Sequence, residues 1–344
     1  GNYENDIIYI AQIASDNRQY DIAVDAYEYV LKKDDQGVFY VNATVGLIKT
    51  EYAQAVANGS HDKAFYDKLS ERIDEAIRKI GINDETLPLI TVQARIMAFE
   101  LGRFEEAVAL LNHSLEMNMS AYRKAELKME LADIYLFTDE VWESILLYSQ
   151  IEKTLKNEPI AHEARFKNAQ LRYFIGEFEW ANATLDVLKA ATSKLVANDA
   201  MTLSLTISDN LEYDTIGLKR LAKADYYIYQ RKFGLANQML DSVVAYNPNE
   251  VSLPSSFYRK AKIAFEDGDF VTADSLYKRV YEGYADSYMA DEALMEDAIL
   301  LEKRLDSREE AMECYARLFD YYTASVYVAQ ARKSYRRLRD EINE

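Results

Sequence analysis

Residues 226–248 read YYIYQRKFGLANQMLDSVVAYNP, and 37 residues further on the chain reads IAFEDGDFVTADSLYKRVYEGYA over 263–285. The letters differ but the spacing does not. Phe233 and Phe270 each stand three residues before an alanine, Ala236 and Ala273; Leu240 and Tyr277 follow those alanines by four, and Val243 and Val280 by seven. Offsets of four and seven put side chains on one face of a helix. The same aromatic-to-alanine spacing recurs at Tyr20/Ala23, Phe104/Ala107 and Phe178/Ala181. Twelve residues before the anchor alanine stands Ala11, Ala169, Ala224 or Ala261, with Arg95 the exception. A small residue there lets a second helix approach to the short end of the usual ~8–10 Å. Gly102, Gly176 and Gly268, two residues before the aromatic, suit the left-handed backbone that ends a helix. Each repeat therefore reads as an αα-hairpin.

Extending the count adds a weaker unit at Ser144, with Tyr148 and Ile151 at the expected offsets, and a last one at Ala311, with Tyr315 and Leu318. The predicted fold is all-α: a right-handed superhelical solenoid of about eight hairpins, read as one domain over residues 1–344. Units are placed near 4–36, 38–80, 88–118, 121–157, 160–192, 215–248, 254–285 and 288–322. An insertion over 193–214 is expected to hold a short helix and a loop, and an amphipathic capping helix is expected over 325–343. The composition agrees: 11 glycines and 4 prolines against 49% hydrophobic and 28% charged residues is what long helices with short turns need.

The pattern resembles the tetratricopeptide repeat, a helix–turn–helix unit that ends in proline. Pro248 stands twelve residues after Ala236, where that family places its proline; most other units lack it, and most periods run near 37. More narrowly, KNAQLRYFIGEFEWANATLDVLKAATSKLVANDAMTLSLTISDN (167–210) and SVYVAQARKSYRRLRD (325–340) resemble exported tetratricopeptide proteins of Bacteroidetes. That resemblance implies a periplasmic or envelope-associated setting, with the cytoplasm as the other option, and further repeats and an export signal ahead of Gly1. It also implies that first helices line a concave face where a protein or extended peptide binds. Counting 14 and 11 residues back from the anchors gives Glu130 and Asp133, Lys167 and Gln170, Ala222 and Asp225, and Arg259 and Lys262 as candidates for that face. The family's peptide-carboxylate clamp needs Lys, Asn and Arg in adjoining units; Lys167, Arg259 and Lys262 do not stand so, and the clamp is not carried over.

Charge and residue chemistry narrow the function classes. Forty Lys and Arg against 58 Asp and Glu leave −18, which repels a nucleic-acid backbone, so no nucleic-acid partner is expected. No apolar run reaches the ~18 residues of a membrane span, so this segment is not expected to insert in a membrane. Cys314, the single cysteine, is expected as a small core residue. His61, His113 and His162 are scattered; His162-Glu163 opens like a zinc-peptidase helix, but Phe166 stands where its second histidine belongs. Asp267-Gly268-Asp269 lacks the carboxylate series of a calcium loop, and Gly217 and Gly283 lack a phosphate-loop context. Hence no catalytic residue, metal or cofactor is expected. Of 27 tyrosines, Tyr20, Tyr27, Tyr148, Tyr277 and Tyr315 fall at packing positions. Arg332, Lys333, Arg336, Arg337 and Arg339 form a basic strip expected to be solvated on the cap. The resulting expectation is a non-catalytic scaffold, monomeric in isolation, that binds a protein or peptide. The alternative is an envelope protein that holds a polysaccharide or lipid-linked precursor.

Overall fold

A computed structural model describes residues 2–33, 37–60, 62–191, 194–246 and 251–343. Pro248 and His61 lie outside the described residues. The described residues form eighteen α-helices and no strand. The chain divides into two compact units, Gly1–Arg165 and Phe166–Glu344. The first holds α1 (Asn2–Asp16), α2 (Tyr20–Lys33), α3 (Tyr40–Ala57), α4 (Lys63–Ile80), α5 (Leu87–Arg95), α6 (Phe104–Leu115), α7 (Ala121–Phe137) and α8 (Val141–Thr154). Helix α9 (Pro159–Phe174) contains the division between the units. The second holds α10 (Phe178–Ala191), α11 (Lys194–Leu211), α12 (Thr215–Tyr229), α13 (Phe233–Tyr246), α14 (Leu253–Glu266), α15 (Phe270–Gly283), α16 (Ala290–Lys303), α17 (Arg308–Tyr321) and α18 (Val328–Asn343).

The anchors explain the pairing. Ala23, Ala107, Ser144, Ala181, Ala236, Ala273 and Ala311 are all fully buried, and so are Ala11, Ala132, Ala169, Ala224 and Ala261 on the opposing first helices. In the α7/α8 pair, where serine replaces the anchor alanine, the close approach is used for a hydrogen bond: Ser144 Oγ donates to the carbonyl of Ala132 at 2.8 Å. Successive hairpins then share a core. Ala236, Leu240 and Val243 of α13 cluster with Leu221 and Ala224 of α12 and with Ile263 of α14. Tyr27, Tyr148, Tyr277 and Tyr315 are buried as expected, whereas Tyr20, at the start of α2, is only half-buried. Cys314 is buried and free.

The turn inside each hairpin is also the same turn. Five residues before the anchors stand Arg18, Gly102, Asp139, Gly176, Arg231, Gly268 and Asp306, and every one has positive φ, from 51° to 86°. The sequence points to this conformation only where glycine carries it. In four hairpins arginine or aspartate is held in it, and in three of these, at Arg18, Asp139 and Arg231, the closing hydrogen bond is the one the glycine turns at Gly176 and Gly268 make, five residues back: Glu177 N to Arg172 O at 2.8 Å, and Lys232 N to Tyr227 O at 2.8 Å. Gly59, between α3 and α4, has φ 62°. Side-chain caps start several helices: Asp62 accepts from the amides of Ala64 and Phe65, Asp214 from Gly217, and Asp269 from Thr272.

The Arg95 exception has a structural cause. Helix α5 runs into a π-helical turn over Ile96–Glu100, which holds one residue more than an α-turn would. The closing bond here runs from Arg103 N to Met97 O, six residues back, where the regular turns reach five. The small residue facing the anchor is therefore the fully buried Ala94, and Arg95 falls one place later in the register. The last hairpin repeats the device: Ser307 N bonds to Leu301 O, six residues back, and the fully buried Ala298 takes the small position.

Candidate functional site

Correcting the register regroups the charged residues of the first helices. Arg95 now shares its place with Asp133, Gln170, Asp225 and Lys262, all one residue beyond the small position. In unit Gly1–Arg165, Arg95 Nε donates to Glu130 Oε2 at 2.6 Å, joining α5 to α7. In unit Phe166–Glu344, Arg259 donates from Nε and Nη2 to both carboxylate oxygens of Asp225, at 2.6 and 2.8 Å, joining α12 to α14. The two pairs occupy the same two places with opposite polarity. Both link the first helix of one hairpin to the first helix of the next.

The two pairs differ in exposure: the Arg95 side chain is 43% exposed above a buried Glu130, whereas the Asp225–Arg259 pair is largely withdrawn from water. Glu130 and Asp133 are buried, and Tyr148 of α8 donates to Asp133 at 2.5 Å. The side chains of Arg259 and Asp225 are 12% and 19% exposed, and Tyr173 of α9 donates to Asp225 at 2.9 Å. Burial and the adjacent Asp225 carboxylate raise the Tyr173 hydroxyl well above the usual phenol range. For Arg259, burial acts to lower the guanidinium, but the Asp225 carboxylate outweighs it and holds the group charged. An ion pair this enclosed, with its remaining lone pairs hydrogen-bonded, serves as a strut between helices. Ala222 is buried too. Lys167 and Gln170 are half-buried on α9, and Lys262 is exposed on α14, 5.5 Å above the Tyr258 ring. The sequence-predicted candidates thus fall into two sets: Glu130, Asp133, Asp225 and Arg259 join helices through buried or largely enclosed contacts, while Lys167 and Gln170 are half-buried and Lys262 is exposed.

A second feature was not legible in the sequence. Helix α11 spans 18 residues, longer than the short helix and loop expected there. One of its faces packs on α10, where Ala200 and Ile207 are fully buried and Ser204 Oγ donates to Asn182 at 2.6 Å. Its adjoining face carries Asp199, Thr206 and Asn210. Thr206 Oγ lies 2.8 Å from the Tyr288 hydroxyl, which lies 2.9 Å from Ser255 Oγ on α14. Ser252 Oγ donates to Asn210 at 2.6 Å and lies 3.0 Å from Asp214. Asp199 feels Glu292 of α16, and Tyr327, just before α18, feels both Asp199 and Glu292. Helix α11 therefore lies against the residues that lead into α14 and α16.

On the cap, Arg337 is paired with Glu302 at 2.7 Å and with Glu341 at 3.0 Å, and Arg332 lies over the Phe319 ring. Among the described residues, no group of three His, Cys, Asp or Glu side chains is arranged to hold a metal ion, and no helix is long and apolar enough to cross a membrane.

No family model matches the sequence, and no curated protein matches it. Solved structures do resemble the fold. A tetratricopeptide repeat protein from Parabacteroides merdae is 13% identical over 85% of this chain and 98% of its own, with a TM-score of 0.40. A Rap protein complexed with competence and sporulation factor is 13% identical over 99% of both chains, with a TM-score of 0.42. The C-terminal part of a repeat-containing protein from Cytophaga hutchinsonii is 13% identical over 83% of this chain and 99% of its own, with a TM-score of 0.38. Likeness at this level names no ligand and no activity for this chain.

Proposed function

We propose that the chain is an interaction scaffold, acting by binding and not by catalysis, whose ligand is a protein or extended peptide held on the face lined by first helices. The observation that supports this reading is the seat of α11: a helix already lies against the residues that lead into successive first helices, hydrogen-bonded to Ser252 before α14 and to Tyr288 before α16. A partner segment would use the same kind of surface, with Lys167, Gln170 and Lys262 as its contacts. The envelope is the setting in which the partner is to be sought, on the strength of the segments at 167–210 and 325–340.

The test is a pair of charge-reversal variants compared in pull-down from envelope extract. One carries Lys167→Glu, Gln170→Glu and Lys262→Glu; the other carries Arg332→Glu, Lys333→Glu and Arg336→Glu on the cap. Loss of the captured partner in the first variant alone supports the reading. Loss in the cap variant alone rejects the first-helix face as the site. Equal loss in both, relieved by salt, points to unspecific attraction between exposed charges, which are screened beyond about 8 Å at physiological ionic strength.

A further inference from the structure

Helix α1 leaves open an apolar place that its counterparts α7, α14 and α16 bury. Ile10 and Ile13 stand one residue before and two residues after the small Ala11, and the same two places on α7 hold Leu131 and Ile134, around the small Ala132. On α7 these side chains are 3% and 0% exposed, and they cluster with Ala107 and Leu111 of α6, the second helix of the preceding hairpin. The second of these places is apolar and buried in the later hairpins as well: Ile263 clusters with Ala236, Leu240 and Val243 of α13, and Leu300 with Ala273, Tyr277 and Val280 of α15. On α1 the pair is 55% and 43% exposed.

The open patch is wider than these two side chains. Tyr9 is exposed beside them, and one turn before Ile10 a depression of about 350 Å³ opens between α1 and α2, lined by Tyr3, Ile7, Ile22, Asp25, Ala26 and Tyr29. Exposed apolar groups gathered in one place mark an interaction surface. Its rim is acidic. Asp6 stands four residues before Ile10 on the same stripe, Asp16 three residues after Ile13, and Asp25 at the depression; all three are exposed. Lys32 and Lys33 are held by Glu28 and Glu4, which leaves Arg18 in the turn against three carboxylates.

We propose that this face of α1 and α2 is a docking site for a cationic amphipathic helix of another protein, which lies on Ile10 and Ile13 as α6 lies on Leu131 and Ile134. The contact repeated between hairpins fixes the shape of the occupant: a helix with a small residue and a larger apolar one four positions later, as Ala107 and Leu111 stand on α6. The rim fixes its charge, since Lys or Arg flanking that apolar stripe meets Asp6, Asp16 and Asp25. The same face of a second copy brings the same acids and is disfavoured. This surface shares no residue with Lys167, Gln170 and Lys262, and it stands or falls without them.

The test is peptide binding to the full chain, read by fluorescence anisotropy. The probe is a labelled peptide of residues 103–116, the sequence around α6, carrying Glu105→Lys and Glu106→Lys; the peptide without these changes is its control. The lysine peptide should bind the parent chain about tenfold more tightly than the control. Combining Ile10→Ser with Ile13→Ser should weaken it about tenfold, because the two side chains lose their apolar burial. Leu235→Ser, at a position on α13 as exposed as Ile13, should leave it unchanged. Asp6→Lys with Asp16→Lys should invert the preference between the two peptides, a result that loss of stability in the serine variant does not imitate. Binding indifferent to the serine and lysine variants, or no binding to the parent chain, overturns the proposal. Concentration-dependent dimerisation of the parent chain, lost in the serine variant, assigns the face to a second copy and overturns it likewise.

Discussion

Asp297 is fully buried on α16, and its surroundings set a pH dependence. Burial drives its carboxyl up to about 8; the Tyr281 hydroxyl, donating at 2.8 Å, opposes the shift, nearby Asp274 adds to it and Lys278 opposes it, with Cys314 also in the cluster. The unfolded chain releases this proton near the ordinary value of 3.8, so between about pH 4 and pH 8 the native state binds more protons than the unfolded one. Stability must therefore fall as pH rises through that window. Melting temperature should decline from pH 5 to pH 8 in the parent chain, and the decline should flatten in Asp297→Asn. An unchanged slope would place the dependence elsewhere. Glu302, lowered on balance because Lys303 and Arg337 outweigh its burial, acts with the opposite sign and only at more acid pH. Backbone chemistry gives a second residue-scale prediction. Arg231 is held at φ 55°, a region that disfavours side chains with a Cβ by roughly 1–2 kcal/mol. Glycine there gains that strain back and loses part of it to unfolded-state entropy. Arg231→Gly should therefore stabilise by about 0.5 kcal/mol, and Gly268→Ala, at φ 77°, should destabilise by about 1 kcal/mol, both read from denaturant midpoints. This turn was legible only at Gly102, Gly176 and Gly268. Where arginine or aspartate fills it, tertiary packing of the two helices overrides local preference, and no local signal marks the conformation.

The hairpins themselves were readable because their packing rests on one small residue per helix. Replacing the fully buried Ala236 by phenylalanine should wedge α12 from α13 at a cost of about 1–3 kcal/mol, measured as a loss of stability. The charged residues of the first helices were readable as a set but not in role. Sequence spacing shows that Asp225 and Arg259 share a face with Glu130 and Asp133, yet it does not show whether water or a neighbouring helix meets them. The one-residue offset at Arg95 hid the rule that would have shown it. Once the offset is removed, Arg95–Glu130 and Asp225–Arg259 occupy matching places with charges exchanged. Breaking one pair should be costly, because it leaves an enclosed charge without its partner. Arg259→Met should destabilise by about 3 kcal/mol, and combining Asp225→Arg with Arg259→Asp should recover part of the loss relative to either single reversal. No recovery in that double variant would mean that the geometry of the strut is fixed to one polarity.

At the scale of the molecule, −18 of net charge sets self-repulsion against many surface ion pairs. Several of those pairs are exposed on both sides: Arg103–Asp67 is 44% and 46% exposed, and Arg339–Asp340 is 52% and 64% exposed. Such pairs contribute ~0–1 kcal/mol each, so screening them loses little, while screening the whole negative field gains more. Melting temperature should rise by a few degrees as ionic strength goes from about 0.01 M to 0.15 M, where the screening length shortens from ~30 to ~8 Å. A fall would mean that the ion pairs outweigh the repulsion. The all-α class and the hairpin repeat were legible at this scale, since they follow from a spacing carried many times over. The seat of α11 was not, because its contacts join residues as far apart as Thr206 and Tyr288, 82 positions along the chain. The widened turn at Ile96–Glu100 and its counterpart after Leu300 also bear on how such a chain can change over generations. An added or lost residue would ordinarily rotate everything after it by about 100° about the helix axis, a turn being 3.6 residues. Here a single slack turn takes up the surplus before the next helix begins. A gene encoding this chain can therefore gain or lose a codon at these points while the faces on either side keep their aim.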